Sequence, residues 1–224
     1  MLASLPLLTI VSPATDRNLI TLADLKQRLN ITTTAQDTDL ENKLLEASEI
    51  ISNYCNRVLV QETVRERYNG YSWKKYINLR RTPIVSVTSI IIDNSVTPVD
   101  SDLYEFDIEN EISGYIWPLD SDGRRVYFPE TWGTWSSWCG NSLVDILYVG
   151  GHTQATMPYP IRAACAEMVR TRLNADKQGS NVSKIEIPGV WSKTLDTASK
   201  ESNSLIPDHI KDMLFPYRRP ALSR

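Results

Sequence analysis

Apolar residues recur at three- and four-residue steps in several parts of the chain, which predicts amphipathic helices there. Thr21, with Asp24 three residues later, has the spacing of a helix N-cap and predicts a short first helix. A second helix is predicted over about residues 39–56, opened by a capping box of Thr38 and Glu41. Its apolar stripe consists of Leu40, Leu44, Ala47, Ile51, Tyr54, Cys55 and Val58.

A third helix is predicted over residues 158–176, because six apolar residues fall on one face there. Residues 177–205 are rich in Ser, Lys, Asn and Thr around a strand-like piece at 184–187, which predicts a flexible loop or hairpin. A last short helix is predicted at about 207–215, followed by a basic tail. The six residues of the third helix are Ile161, Ala164, Cys165, Met168, Val169 and Leu173.

Between the second and third helices the pattern changes to short runs rich in β-branched and aromatic residues. Turn residues such as Asp93-Asn94, Gly114 and Gly150-Gly151 separate these runs. Because the β-branched run 84–92 leads directly into a turn, antiparallel pairing is the simplest arrangement. The predicted strands cover residues 63–68, 76–79, 84–92, 104–108, 125–128 and 143–149.

Together these elements predict an α+β fold: a small bundle of three to four helices, with an antiparallel β insertion between the second and third helices. The first twenty residues have no sustained period and contain Pro6 and Pro13, so we expect an extended arm there. The predicted boundaries are 1–20 for this N-terminal arm, 21–60 with 158–176 for the helical core, 61–150 for the β-rich insertion, 177–205 for the flexible loop or hairpin, and 206–224 for the C-terminal helix and basic tail.

Composition excludes several classes of protein. With 224 residues, 42% of them hydrophobic, the chain can bury a sizeable core and is not a disordered tail. The net charge of −3 lacks the basic excess with which non-specific DNA-binding proteins displace counterions. No apolar run approaches the roughly 18 to 20 residues of a membrane-spanning helix, so no membrane partner is predicted. The apolar N-terminal stretch has no basic residue within it or before it, which disfavours export.

Residues that could perform chemistry are few. Cys55, Cys139 and Cys165 are odd in number and widely spaced, so we expect reduced thiols in a cytosol and no disulfide framework. His152 and His209 have no partner at metal-ligand spacing and are expected to face solvent. No serine lies in the G-x-S-x-G pattern of a nucleophile elbow. The sequence therefore predicts no catalytic residue, no metal, no cofactor and no enzymatic activity.

The segment from Asp93 to Asp122 contains nine acidic residues and neither Lys nor Arg. Asp120 begins a stretch similar to a calcium-binding loop, but the glycine stands at the fourth position, Gly123, where such a loop requires the sixth. A set of solvated hairpin loops is the simpler interpretation. A third interpretation is that the segment lines a channel and repels the phosphates of passing DNA.

Tryptophan is concentrated in one region: Trp132, Trp135 and Trp138 follow Trp117 and precede Cys139. Side chains of this size are usually core residues, interface anchors or stacking platforms for sugars. We favour packing or a subunit interface, because no paired carboxylates or calcium loop accompany the cluster. Trp132, Trp135 and Trp138 are therefore candidate interface residues.

The C-terminal end joins two aromatic residues to two fixed cations. Phe215, Pro216, Tyr217, Arg218 and Arg219 form a composition suited to docking on a partner protein. The alternative is an ordinary solvated tail.

Four stretches, in their order and spacing, resemble the head-to-tail adaptor or connector family of tailed double-stranded-DNA bacteriophages, also called DNA-packaging connectors. They are residues 19–59, RTPIVSVTSI at 81–90, the pair VDILYVGG and MPYPIRAACAEMVRTRLNADK within 144–177, and LFPYRRPAL at 214–222. The segment 93–141 departs from the family, because it is longer and richer in acid and tryptophan than the usual short hairpins.

The resemblance implies a structural virion protein, made in the bacterial host cytoplasm and located in the neck between capsid and tail. It implies a ring of about twelve copies, closed by rotation, that extends the DNA channel. The implied partners are the portal protein, a stopper, neck or tail-completion protein, and genomic DNA in transient non-specific contact. Since similar adaptors reorder a terminal segment on the portal, residues 215–219 become the candidate docking element. The alternative is a tail or baseplate binding module that uses the tryptophan-rich loop.

Overall fold

The computed structural model describes residues 7–69, 76–106, 114–125, 143–178, 184–187, 191–194 and 205–219, with the backbone alone at 69, 177–178, 184–187 and 191–194. The described chain contains four helices and antiparallel sheets, so the fold is α+β, as predicted. Its contacts divide the chain into two compact units. The first comprises residues 1–16, 57–153 and 219–224, and the second comprises residues 17–56 and 154–218.

The second unit contains the helices. The third helix packs against each of the other three, because its apolar face is long enough to meet them all. The side chains of this helical core include Leu25, Leu44, Ile51, Ala164, Val169 and Ile210, all without exposed surface. The helices are α1 (Leu22–Leu29), α2 (Asp37–Tyr54), α3 (Tyr159–Gln178) and α4 (Asp208–Leu214).

The two predicted helix caps had different outcomes. The Thr21 hydroxyl accepts the backbone N–H of Asp24 at 3.1 Å, which confirms the cap of α1. The predicted capping box at Thr38 and Glu41 is wrong, because α2 begins earlier, at Asp37, with Gln36 as an N-cap that makes no side-chain hydrogen bond. Thr38 thus lies inside the first turn of α2 and cannot cap it.

The first unit contains the two larger sheets. One has four strands in the order β1-β2-β7-β4, and the other has three in the order β3-β6-β5; every pairing is antiparallel. A separate two-stranded hairpin, β8–β9, belongs to the second unit. The strands are β1 (Leu7–Ser12), β2 (Glu62–Asn69), β3 (Ile77–Leu79), β4 (Ile84–Ile92), β5 (Tyr104–Phe106), β6 (Gly114–Pro118), β7 (Leu143–Gly150), β8 (Lys184–Ile187) and β9 (Trp191–Thr194).

The core of the first unit gathers alternate residues of both sheets. Because side chains of a strand alternate between the two faces, β2 contributes Val64 and Tyr68 and β6 contributes Ile116. The other core residues are Ile77, Leu79, Ile84, Ile90, Val144, Ile146 and Tyr148. At the end of β7, Gly151 has φ 101°, and a Cβ there would lie 2.4 Å from the carbonyl oxygen of Val60, so this turn requires glycine.

Two strands were not predicted from the sequence. Residues 7–12, expected in an extended arm, are extended but form β1, which pairs with β2 from Leu7 opposite Arg67 onward. Gly114, interpreted as a turn residue, begins β6 instead. In the part of the chain that the structure describes, no helix combines the length and apolar character needed to cross a membrane.

Candidate functional site

At the C-terminal end of the described chain, the apolar residues of α4 are buried, whereas those that follow it reach the surface. Ile210 and Leu214 are fully buried, and the next residue, Phe215, begins a 3-10 turn, Phe215–Tyr217, with 70% of its surface exposed. Pro216 is also exposed, and Tyr217 is half-buried. An aromatic ring held in water costs free energy that a partner surface can recover. The geometry therefore presents Phe215 as a candidate anchor residue.

Arg218 lies beside this anchor and is exposed. Its guanidinium carbon is 5.3 Å from the centroid of the Tyr54 ring, at the end of α2. An exposed cation–π contact of this kind is worth about 0.5–1 kcal/mol and leaves the guanidinium able to donate to a partner. Phe215 and Arg218 are thus an exposed aromatic residue and an exposed cation three positions apart in the sequence.

Arg219 has a different role from its neighbour. Its guanidinium donates to the carbonyl oxygens of Arg80 at 2.9 Å and Leu79 at 3.2 Å, and to the side-chain oxygen of Asn78 at 3.1 Å. Three charge-assisted hydrogen bonds fix this residue to the end of β3. The predicted docking set therefore separates into three exposed residues, Phe215, Pro216 and Arg218, the half-buried Tyr217, and the internally bound Arg219.

The segment that receives Arg219 is itself held by a buried carboxylate. Glu66, with no exposed surface, accepts the backbone N–H of Arg80 at 2.9 Å. It also accepts the hydroxyls of Tyr68 at 2.6 Å and Tyr148 at 2.5 Å. These three donors offset the cost of burying the charge. Burial and the Glu66 charge raise the pKa of the Tyr148 hydroxyl well above its usual range.

The tryptophan prediction is only in part within the described residues. Trp132, Trp135 and Trp138 lie outside them. Trp117, on β6, belongs to an aromatic patch: its ring centroid is 5.5 Å from that of Tyr115, and the Arg125 guanidinium carbon is 4.0 Å above the ring. Arg125 also pairs with Glu105. Trp117 therefore packs within its own sheet, in agreement with a packing role for that residue.

The acidic segment is described up to Phe106 and again from Gly114. Within it, the Asp120 side chain accepts the backbone N–H groups of Asp122 at 2.9 Å and Arg124 at 2.8 Å, which closes a tight turn. Among the residues that the structure describes, no group of three or more His, Cys, Asp or Glu residues is arranged to hold a metal ion.

The two histidines differ in their exposure, and two of the three cysteines lie among the described residues. His209 is exposed, as expected, but His152 is 4% exposed, so the expectation of a solvent-facing residue there is wrong. The cause is the backbone of the turn, in which the His152 N–H donates to Leu59 and its carbonyl accepts from Gln61. Cys55 and Cys165 are free thiols, and burial raises the pKa of Cys165 to about 12. Cys139 lies outside the described residues.

Comparison with known proteins identifies the family. A family model described as head completion protein matches residues 18–220, which is most of the chain. The chain belongs to the head completion protein family.

Solved structures agree with this membership at the level of the fold. The neck of an empty gene transfer agent particle, computed with C6 symmetry, contains a similar chain, with a TM-score of 0.56 and 15% identity. The neck of the native particle, computed with C12 symmetry, gives a TM-score of 0.53 and 16% identity. In both cases the similarity covers 97% of each chain. No curated protein sequence matches this head completion protein significantly.

Family membership confirms two predictions. As a member of the head completion protein family, the chain is a structural component of a phage-like virion. It is therefore a structural protein and not an enzyme, as the sequence predicted.

Proposed function

We propose that this head completion protein is the subunit of an adaptor ring between the portal and the next neck or tail protein. About twelve copies close the ring by rotation and extend the DNA channel. The observation that carries this proposal is the family match over residues 18–220, supported by a fold shared along the whole chain with proteins of gene transfer agent necks. A stopper, neck or tail-completion protein then binds the lower face of the ring.

The C-terminal segment is the proposed portal-docking element. Phe215, Pro216 and Arg218 are exposed and supply an apolar anchor next to a cation, a combination enriched at the energetic centres of protein interfaces. Tyr217 is half-buried, and Arg219 donates its hydrogen bonds to residues 78–80 within the first unit. The proposed contact with the portal therefore belongs to residues 215–218.

The acidic residues of segment 93–122 suit a surface that DNA passes without binding. Each phosphate that a protein neutralises adds affinity, so a channel that must release its genome benefits from few such contacts. Transient, non-specific contact with the genome is the interaction that this charge distribution supports.

The alternative function, a tail or baseplate binding module, depends on Trp132, Trp135 and Trp138. These residues lie outside the described part of the chain, and membership in the head completion protein family favours the adaptor.

The decisive experiment images the purified protein by negative-stain microscopy, with mass determination, alone and mixed with its portal ring. We expect a ring of about twelve copies stacked on the portal. A monomer that does not bind the portal at any salt concentration would overturn the proposal.

A double variant tests the docking element. Phe215→Ala with Arg218→Ala removes the exposed anchor and its cation, and we expect portal affinity to fall by at least about tenfold, since truncated interface anchors cost about 2 kcal/mol or more. The matched control is Tyr159→Ala, which removes an aromatic ring with a similar exposure of 68%, against 70% for Phe215. Surface plasmon resonance on immobilised portal gives both affinities. Unchanged binding of the double variant would exclude residues 215–218 as the docking element.

A further inference from the structure

The edge strands of a sheet can pair with another chain, because their outer N–H and C=O groups are unpaired. The two larger sheets have four such edges, formed by β1, β4, β3 and β5. Folded proteins normally protect edges by bulges, charges, shortness or cover from their own chain. The protection of each edge therefore indicates whether it is built to remain free.

Three of these edges are protected. β4 is interrupted by register shifts between Ile84 and Ser86 and between Val87 and Ser89. In addition, the Val99 N–H donates to the carbonyl of Ile90 at 2.8 Å. The end of β3 is covered by the guanidinium of Arg219, described above. As far as the structure describes it, β5 has three residues, and a short edge strand is one of the ways in which proteins protect an edge.

Among the residues that the structure describes, β1 has one of these protections, a register shift near its end between Ile10 and Ser12. Its six residues, LLTIVS, include no charge and no proline. Leu7 is 63% exposed, Ile10 43% and Val11 53%, so apolar side chains meet water on both faces of the strand. Such an edge is expected to be covered in the assembled state.

The β8–β9 hairpin has the complementary property. Its two strands of four residues form a sheet on their own, with Glu186 opposite Ser192. A two-stranded hairpin is marginally stable in water and gains stability from a third strand. The sequence of β8 alternates Lys184, Ile185, Glu186 and Ile187, a pattern typical of a strand that buries one face. Because β1 carries no charge, none of the charged residues of this hairpin would meet a like charge there.

We propose that the β8–β9 hairpin of a neighbouring copy adds to the outer edge of β1, so that the four-stranded sheet continues from one copy into the next. The inference rests on the proposed ring, since closure by rotation requires two different surfaces on each copy that fit each other. β1 is one of these surfaces and the hairpin is the other. Main-chain hydrogen bonds supply the affinity, as in other cases of strand addition.

Cross-linking between differently tagged copies tests the contact directly. One copy carries Thr9→Cys and the other Ser192→Cys, both in a Cys139→Ser background in which the remaining Cys55 and Cys165 are buried. With the portal present, a short bis-maleimide is expected to join the two tags. The matched pair, Val85→Cys with Ser192→Cys, places the first cysteine on the protected β4 edge and is expected to give no joined product. Equal yields from both pairs, or links confined to one tag, would overturn the inference.

A charge on the edge gives an independent measurement. Ile10→Lys introduces an ammonium group on β1, and Val85→Lys introduces the same group on β4 at a similar exposure, 43% against 48%. We expect Ile10→Lys to weaken ring assembly on the portal by at least tenfold and Val85→Lys to leave it unchanged, with both variants retaining the circular dichroism of the parent. If Ile10→Lys assembles as well as the parent, the edge contact is wrong while the adaptor function stands. If the parent itself forms no ring, the adaptor function fails and this inference fails with it.

Discussion

At the scale of single residues, the protein places a charge where charges rarely occur. Glu66 is fully buried, and it is tolerated because two tyrosine hydroxyls and one backbone N–H direct their protons at it. Replacing such an acceptor leaves several buried donors without a partner, which is more costly than the hydrogen bonds are worth when formed. The network thus makes the end of β3, where Arg219 binds, one of the best-fixed parts of the first unit.

Tyr148 makes the free energy of unfolding depend on pH in alkaline solution. Its pKa is raised in the folded protein, first by burial and then by Glu66, so its contribution to stability is present below the unfolded value near pH 10 and is lost above it. There the unfolded chain releases the proton and the folded chain keeps it. The free energy of unfolding should therefore fall by about 1.4 kcal/mol per pH unit from this group alone.

Urea unfolding between about pH 9 and pH 11.5 measures this effect, and Tyr148→Phe should show a slope shallower by that amount. The variant should also be about 1–3 kcal/mol less stable at neutral pH, because Glu66 and the Arg81 N–H lose a partner. Parallel pH profiles for parent and variant would contradict the assignment.

At the scale of elements, the two threonines near the helix starts provide a matched test. Thr21→Ala removes the hydroxyl that caps α1 and should lower the free energy of unfolding by about 1 kcal/mol. Thr38→Ala changes an exposed residue inside the first turn of α2, where alanine has the higher helix propensity, so stability should change by less than about 0.5 kcal/mol. Chemical denaturation of both variants compares the observed cap at Thr21 with the capping box that the sequence predicted at Thr38. A larger loss for Thr38→Ala would restore the capping box.

Helix and strand periodicity predicted most elements because each buries one face. α3, β4 and the turn after β7 follow from apolar spacing and glycine alone. β1 escaped detection because it is an edge strand exposed on both faces, so its residues follow no alternation. β6 was not predicted because glycine usually marks a turn. Gly114 instead lies in close packing, since a Cβ atom added there would be 3.0 Å from the carbonyl oxygen of Leu79.

The candidate site was predicted in composition but not in arrangement. Phe215 and Arg218 are exposed as a docking element requires, and their residue types alone suggested this. That Arg219 would bind Leu79 and Arg80 depends on residues about 140 positions away in sequence, and no local pattern encodes such a contact. The Glu66 network is likewise a product of tertiary packing.

At the scale of the whole molecule, the charge balance limits interaction with DNA. With a net charge of −3 the protein has no excess of Lys and Arg. Neutralising phosphates with such residues is what makes non-specific DNA binding measurable at physiological salt. Fluorescence anisotropy with a duplex of about 30 bp should give a dissociation constant weaker than about 100 µM in about 150 mM salt, for the free chain and for the ring on its portal. A micromolar dissociation constant with a steep salt dependence would show instead that the protein binds DNA through many phosphate contacts.

The buried position of Glu66 also bears on how faithfully the chain folds. Side chains alternate along β2, so a shift of one residue against β7 would turn Glu66 to the outer face and bring Arg65 and Arg67 towards the core. Neither arginine could replace Glu66 there, because a guanidinium only donates hydrogen bonds and cannot accept the backbone N–H of Arg80. The misaligned sheet is thus disfavoured, because it would bring hydrogen-bond donors into a place where an acceptor is needed. In the proposed ring many identical copies must fit one another, and a copy with a slipped strand would not fit.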